Sequence, residues 1–129
     1  MKINITAGSF LNEKLENIYE NETFIPFCEA MIIGTYNHKL FSIDFIEERA
    51  KTHNVSVSEY EDKLSGFITF LKCVNIYDEV ILWFGDEPFC KENRRVVLQT
   101  LNEYNFQGKI ILNIVNEETL EILEKIIVQ

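Results

Sequence analysis

The segment Leu82-Trp83-Phe84-Gly85-Asp86-Glu87-Pro88-Phe89-Cys90-Lys91-Glu92-Asn93 sets an acid, a thiol and an amide at i, i+4 and i+7. That spacing puts Asp86, Cys90 and Asn93 on one face of a helix. A carboxylate there offers a general base or a metal ligand. A thiol in the first helical turn offers a nucleophile whose pKa the helix dipole lowers, which makes Cys90 the candidate reactive thiol. Gly8-Ser9, Glu29 and Asn116-Glu117 each follow another run of strand-forming residues. All these groups also have plainer uses: Ser9, Asp86 and Asn116 are N-cap residues by type, and Cys90 is small enough simply to pack.

The elements that must position these groups follow from periodicity. Ile3–Ala7 alternates and ends at Gly8, which predicts a first strand, with a helix capped by Ser9 behind it. Thr23–Phe27 reads as a short second strand, Pro26 marking an edge or an end. Helices are expected from Ser42 to about His53 and from the Ser56/Ser58 caps through Tyr60, Leu64, Phe67, Ile68 and Leu71. Glu79–Phe84 and Lys109–Val115 are nearly continuous apolar runs, the pattern of strands buried on both faces. A helix capped by Asp86 or Glu87, with Pro88 in its first turn, joins them. Asn116-Glu117-Glu118 is read as opening a last amphipathic helix that ends near Val128.

Strands alternating with helices imply an α/β fold, a three-layer Rossmann-like sandwich around a four-stranded parallel sheet. Right-handed crossovers give the order 2-1-3-4. Such a sheet binds ligands outside the carboxyl ends of its strands, at the switch point between strands one and three. Every strand then delivers a polar group to one edge, and Gly8, Ser9, Glu29, Asp86 and Asn93 are expected to line a binding site there.

Composition narrows the function classes. The chain has 129 residues, 47% of them hydrophobic, enough for one well-formed core, so residues 1–129 are read as a single α/β domain. It could equally be the N-terminal domain of a longer protein. A net charge of −9 argues against binding a nucleic-acid backbone. No apolar run approaches the roughly 20 residues of a membrane span. The three cysteines show no C-x-x-C spacing, which suits free thiols in a cytoplasmic protein. Cys28, His38, His53 and Cys90 lack metal-ligand spacing, so no metal site is expected, and no cofactor is indicated. The sequence contains no G-x-G-x-x-G, G-x-x-x-x-G-K or G-x-S-x-G motif.

The layout I-T-A-G-S, then F-I-P-F-C-E-A-M, then E-V-I-L-W-F-G-D-E-P-F-C-K-E-N-R resembles an uncharacterised bacterial family, a domain of unknown function. The resemblance spans nearly the whole chain. Its most specific part is L-W-F-G-D-x-x-x-C-x-x-N, carried by Leu82, Trp83, Phe84, Gly85, Asp86, Cys90 and Asn93. Glu29 and Gly34 match the acid and the glycine that follow the second strand in this pattern. Gly8-Ser9-Phe10 stands where the pattern has a glycine, an acid and a small residue. Some members of the family carry a second small domain, and a regulator label is sometimes attached, although no basic helix-turn-helix is present here. The resemblance implies a fold and a site but no reaction.

Three functions stay open on the sequence. The favoured one is binding of a small anionic or nucleotide-type ligand at the carboxyl edge, helped by a helix N-terminus. The second is a hydrolase or transferase that uses Glu29 or Asp86, with or without a divalent metal. The third is a regulatory interaction module, with a homodimer or a protein partner engaging the hydrophobic ending Ile126-Ile127-Val128-Gln129.

Overall fold

Alternation within the strands decides how the layers form. Ile3, Ile5, Val80, Leu82, Phe84, Ile110, Leu112 and Ile114 point to one face of the sheet and share a 26-residue core. Trp83 and Val115 occupy the other face, where they form a five-residue cluster with Leu11, Leu15 and Phe24. The computed structural model describes residues 1–129. Its elements are β1 (Lys2–Thr6), α1 (Ser9–Ile18), β2 (Phe24–Pro26), α2 (Ile43–Thr52), α3 (Val57–Lys63), α4 (Ser65–Leu71), β3 (Glu79–Phe84), α5 (Pro88–Glu103), β4 (Lys109–Val115) and β5 (Ile122–Ile127). One 3-10 turn, Val74–Ile76, leads into β3.

The sheet runs in the order β2-β1-β3-β4-β5. β1 pairs in parallel with β2 and with β3, and β3 pairs in parallel with β4. This is the expected three-layer Rossmann-like sandwich, with its switch point between β1 and β3. The layers are unequal. Side chains of α2, α3, α4 and α5 pack into the large core, while those of α1 pack into the small one. Right-handed crossovers require this division, because β1 to β2 steps one way along the sheet and every later connection steps the other way.

Two expectations are corrected. The last amphipathic helix is instead β5, antiparallel to β4, with Ile127 opposite Ile111 and Ile126 opposite Leu112. Asn116 does not cap a helix: its Oδ1 accepts the amides of Glu118 and Thr119 in a tight turn, and Leu120 completes the reversal at φ 65°. The spacing of Leu120, Leu123 and Ile127 suits a helix. β-Branched isoleucines and the unpaired edge of β4 decide for the strand. The single helix expected through Tyr60 and Leu71 is also two, α3 and α4, broken at Leu64. Gly66 sits against Ile25, where an added Cβ would lie 3.2 Å from Ile25 Cγ2, so α4 closes directly on β2.

Capping explains most of the remaining boundaries. Ser42 Oγ accepts the Phe45 amide, and Ser56 with Glu59 forms a capping box. α1 and α5 differ: Gly8 and Glu87 hold their N-cap positions, and neither helix has a side-chain cap bond. Ser9, expected as a cap, is instead the first helical residue.

Gly108, where the chain enters β4, is required by close approach. A Cβ there would fall 2.4 Å from the Asp78 carbonyl oxygen and 2.5 Å from Phe106 Cζ. Gly108→Ala is therefore expected to cost about 1–3 kcal/mol of unfolding free energy, read from urea denaturation. Gly8→Ala is the comparison: a Cβ at Gly8 meets nothing within 4 Å, so only the poorer N-cap preference of alanine remains, about 0.5–1 kcal/mol.

Candidate functional site

Glu29 lies just beyond the carboxyl end of β2, with its side chain fully buried. A carboxylate in that position needs partners, and it has five donors. Arg49, from α2, donates Nε–H to Oε2 and Nη2–H to Oε1, each at 3.0 Å. Tyr60, from α3, donates its hydroxyl to Oε2 at 2.6 Å. The Ala30 amide donates to Oε1 at 2.6 Å, and His53 Nε2 closes on the same oxygen at 2.5 Å. Arg49 Nη2 lies 3.1 Å from the same imidazole nitrogen, so His53 packs against both members of the ion pair. The second Nη2 proton of Arg49 goes to the Ala30 carbonyl, and Nη1 donates to the Thr35 carbonyl.

Burial alone would raise the Glu29 pKa. The hydrogen bonds from Arg49 and Tyr60, together with the Arg49 charge, outweigh it and hold the carboxyl below its ordinary range. Burial also works against the Arg49 charge, but bonding to Glu29 prevails and the guanidinium stays ionised. Burial, and then the Glu29 charge, push the Tyr60 phenol well up, so it remains a donor.

This cluster forms one wall of a pocket of about 440 Å3. Ala7, Gly8 and Ser9 line it from the end of β1, Phe27 to Ala30 from the end of β2, and Phe89 from the start of α5. His53, Val55, Tyr60 and Lys63 close it from the α2–α3 region. The amides of the first turn of α1 have no intrahelical acceptor and no side-chain cap at this point. Lys63 makes no ion pair. His53 Nδ1 has no partner and is not among the buried unpaired atoms, so it is open to solvent. Glu29 is the one acidic side chain in the lining, and Arg49 neutralises it.

Of the residues expected at the site, Gly8, Ser9 and Glu29 meet in this pocket. Asp86 lies apart, in a separate depression with Gly85, Glu87, Asn116, Glu117 and Glu118. It precedes α5, so the helical spacing that linked it to Cys90 and Asn93 does not hold. Asn93 lines neither pocket and is fully buried. It spans two backbone groups instead, donating to the Glu29 carbonyl and accepting the Met31 amide.

The reading of Cys90 as the reactive thiol is corrected. Burial first, and then the Glu117 charge, push its pKa up to about 11. All three cysteines are unpaired, and Cys28, half-buried, is the one that lines the pocket. No group of three or more His, Cys, Asp or Glu side chains is arranged to hold a metal.

Sequence reasoning missed Arg49, His53, Tyr60 and Lys63. One signal was present: Arg49 stands four residues after Phe45 and beside Ala50, inside the apolar stripe of α2, and His53 follows at i+4. A cation on a buried face calls for a buried anion. Fold and pocket together define a Rossmann-like protein with a pocket of about 440 Å3 outside the carboxyl ends of β1 and β2. No family model, curated protein or solved structure matches the chain.

Two outcomes follow. Glu29→Gln leaves Arg49 charged and buried without its counter-ion, and is expected to cost about 3–5 kcal/mol. Because the folded pKa of Glu29 is depressed, its contribution is present above the ordinary 4.5 and is lost as pH falls through the folded value. The variant should therefore lose less stability than the wild type between neutral pH and acid, as acid titrations of urea midpoints would show. Cys90 should stay unalkylated by iodoacetamide at neutral pH until the protein unfolds, checked by peptide mapping.

Proposed function

We propose that this protein binds a small anionic ligand, of nucleotide or phosphorylated-metabolite type, in the pocket between the start of α1 and the Glu29 cluster. One observation carries the reading. Two sources of positive potential, the first turn of α1 and Lys63, converge on a pocket whose single carboxylate is already neutralised. Within a chain of net charge −9, that local reversal of sign favours anions. Val55 and Phe89 give the ligand's apolar part a surface, while Ser9 offers a hydroxyl.

The enzymatic alternative through Glu29 and Asp86 has less support. Glu29 has its lone pairs taken by five donors, and Asp86 belongs to a different depression. A regulatory interaction role would use the exposed apolar side chains of β5, Ile122, Leu123 and Ile127. No helix is long and apolar enough to cross a membrane, and three unpaired cysteines suit the bacterial cytoplasm as the setting for such a ligand. The resemblance to an uncharacterised bacterial family belongs to the same proposal.

Thermal-shift titration with inorganic phosphate, adenine nucleotides and sugar phosphates tests it. A ligand at 100 times its Kd should add about 2.7 kcal/mol. Lys63→Glu, an exposed change, should abolish the shift, and Asp86→Asn should leave it intact. A panel of anions without effect, or an unchanged shift in Lys63→Glu, would overturn the reading.

A further inference from the structure

On the face of the sheet that holds the small cluster, α1 is the one helix, and it packs against β1 and β2. The other four helices lie on the opposite face, so no helix covers β4 and β5 here. Two rows of side chains border the gap. Phe10, Lys14 and Ile18 stand at i, i+4 and i+8 along α1 and share one flank of it. Lys14 Nζ donates to the Glu117 carbonyl, in the turn between β4 and β5, which aims that flank toward β5. On β5, Ile122, Lys125 and Ile127 lie opposite Val115, Asn113 and Ile111, on the face that Val115 shares with the small cluster. Phe10 and Ile18 are 70% and 56% exposed, and Ile122 and Ile127 are 45% and 57% exposed. Singly each would be ordinary, but on two adjoining rows they make an apolar surface.

The rows also match one another. Phe10 and Ile18 stand about 12 Å apart along the helix, with exposed Glu13 between them. Ile122 and Ile127 stand about 16 Å apart along the strand, with exposed Lys125 between them. Neither Glu13 nor Lys125 has an ion-pair partner in the chain. Lys14 does not compete for Glu13, because its ammonium is held over the Phe10 ring and on the Glu117 carbonyl. Apolar ends around an acid thus complement apolar ends around a base. Within one molecule the two rows point outward side by side and cannot meet.

We propose that a second copy of this chain covers this face, in a two-fold dimer that sets the α1 row of each protomer on the β5 row of its partner. The contact is isologous, so Glu13 meets Lys125 twice, each time between apolar contacts. Pairing of the two β5 edges is the competing geometry. A two-fold axis at the middle of the strand would set Lys125 or Glu124 against its own copy, and the bulge at Ile114/Val115 bends that edge. The face is therefore the docking surface. Two strips per protomer, each about 10 by 15 Å, belong to the small class of interfaces, below about 1,200 Å2 in total, so a Kd of about 10 µM is expected. The dimer does not depend on the anion-binding reading, although Ser9, at the start of the same helix, lines the pocket.

Sedimentation equilibrium of the full chain, from about 1 to 500 µM, is the test. The mass should rise with concentration from one protomer toward two. Ile18→Glu and Ile127→Glu, one in each row, should each hold the protein at the protomer mass throughout. Both positions are exposed, so the far-UV circular dichroism should not change. Ile43→Glu, an exposed position on α2 across the sheet, should leave the Kd within about twofold. Glu13→Lys and Lys125→Glu should each weaken association about tenfold, and the two together should restore it to within about threefold of the wild type.

A wild type that keeps the protomer mass at the highest concentration refutes the dimer. A dimer that persists in either row variant, an equal loss in Ile43→Glu, or a double charge exchange that restores nothing refutes this face as its interface.

Discussion

The ion pair between Glu29 and Arg49 is the constraint on which the rest of the site depends. Two charges removed from water gain little net stability over a well-packed apolar pair, but each becomes costly if the other is misplaced. The pair therefore acts on geometry. Through Arg49 it ties α2 to the carbonyls of Ala30 and Thr35, and through the Glu29 carboxylate it reaches α3 at Tyr60. Asn93, from α5, holds the same segment by its backbone on both sides of Ala30. A loop that leaves a three-residue edge strand would otherwise have few reasons to adopt one conformation. Here three helices converge on it, and His53 takes its place beside Glu29 as a consequence.

The unequal layers set where that convergence occurs. Four helices on one face of the sheet provide the walls from which Arg49, His53, Tyr60 and Asn93 reach the carboxyl edge. The lone helix on the other face provides only its N-terminus, which meets the same edge at Gly8 and Ser9. The pocket is the seam between a rigid, hydrogen-bonded wall and a helix end whose donors are unspent. That division of labour leaves the pocket's one carboxylate internal and paired.

Much of this was legible in the residues. Two continuous apolar runs, Val80–Phe84 and Ile110–Val115, gave the central strands, and the position of Gly8-Ser9 after an alternating run gave the edge at which to look. What escaped was tertiary. Residues 120–127 carry a helical spacing, and only pairing with the open side of β4 makes them a strand. Asp86, Cys90 and Asn93 share a helix face on paper, but the helix begins at Pro88 and that face turns inward, so burial removes Cys90 and Asn93 from solvent. Histidine and cysteine were weighed for metal spacing along the chain. The pairing that matters, His53 with Glu29, spans 24 positions and is created by the fold.

Trp83 has one further consequence. It is the chain's single tryptophan, it lies in the small cluster under α1, and its Nε1–H donates to Asn4 Oδ1 at 2.8 Å. Tyr19 and Phe24 flank it, with ring centroids at 5.9 and 6.4 Å. The indole thus samples only the thin side of the molecule, the side whose one helix opens onto the pocket. Its emission is an optical gauge of how firmly α1 is seated, blind to the larger core on the opposite face. The protein carries its own spectroscopic probe for the element whose first turn forms half of the site.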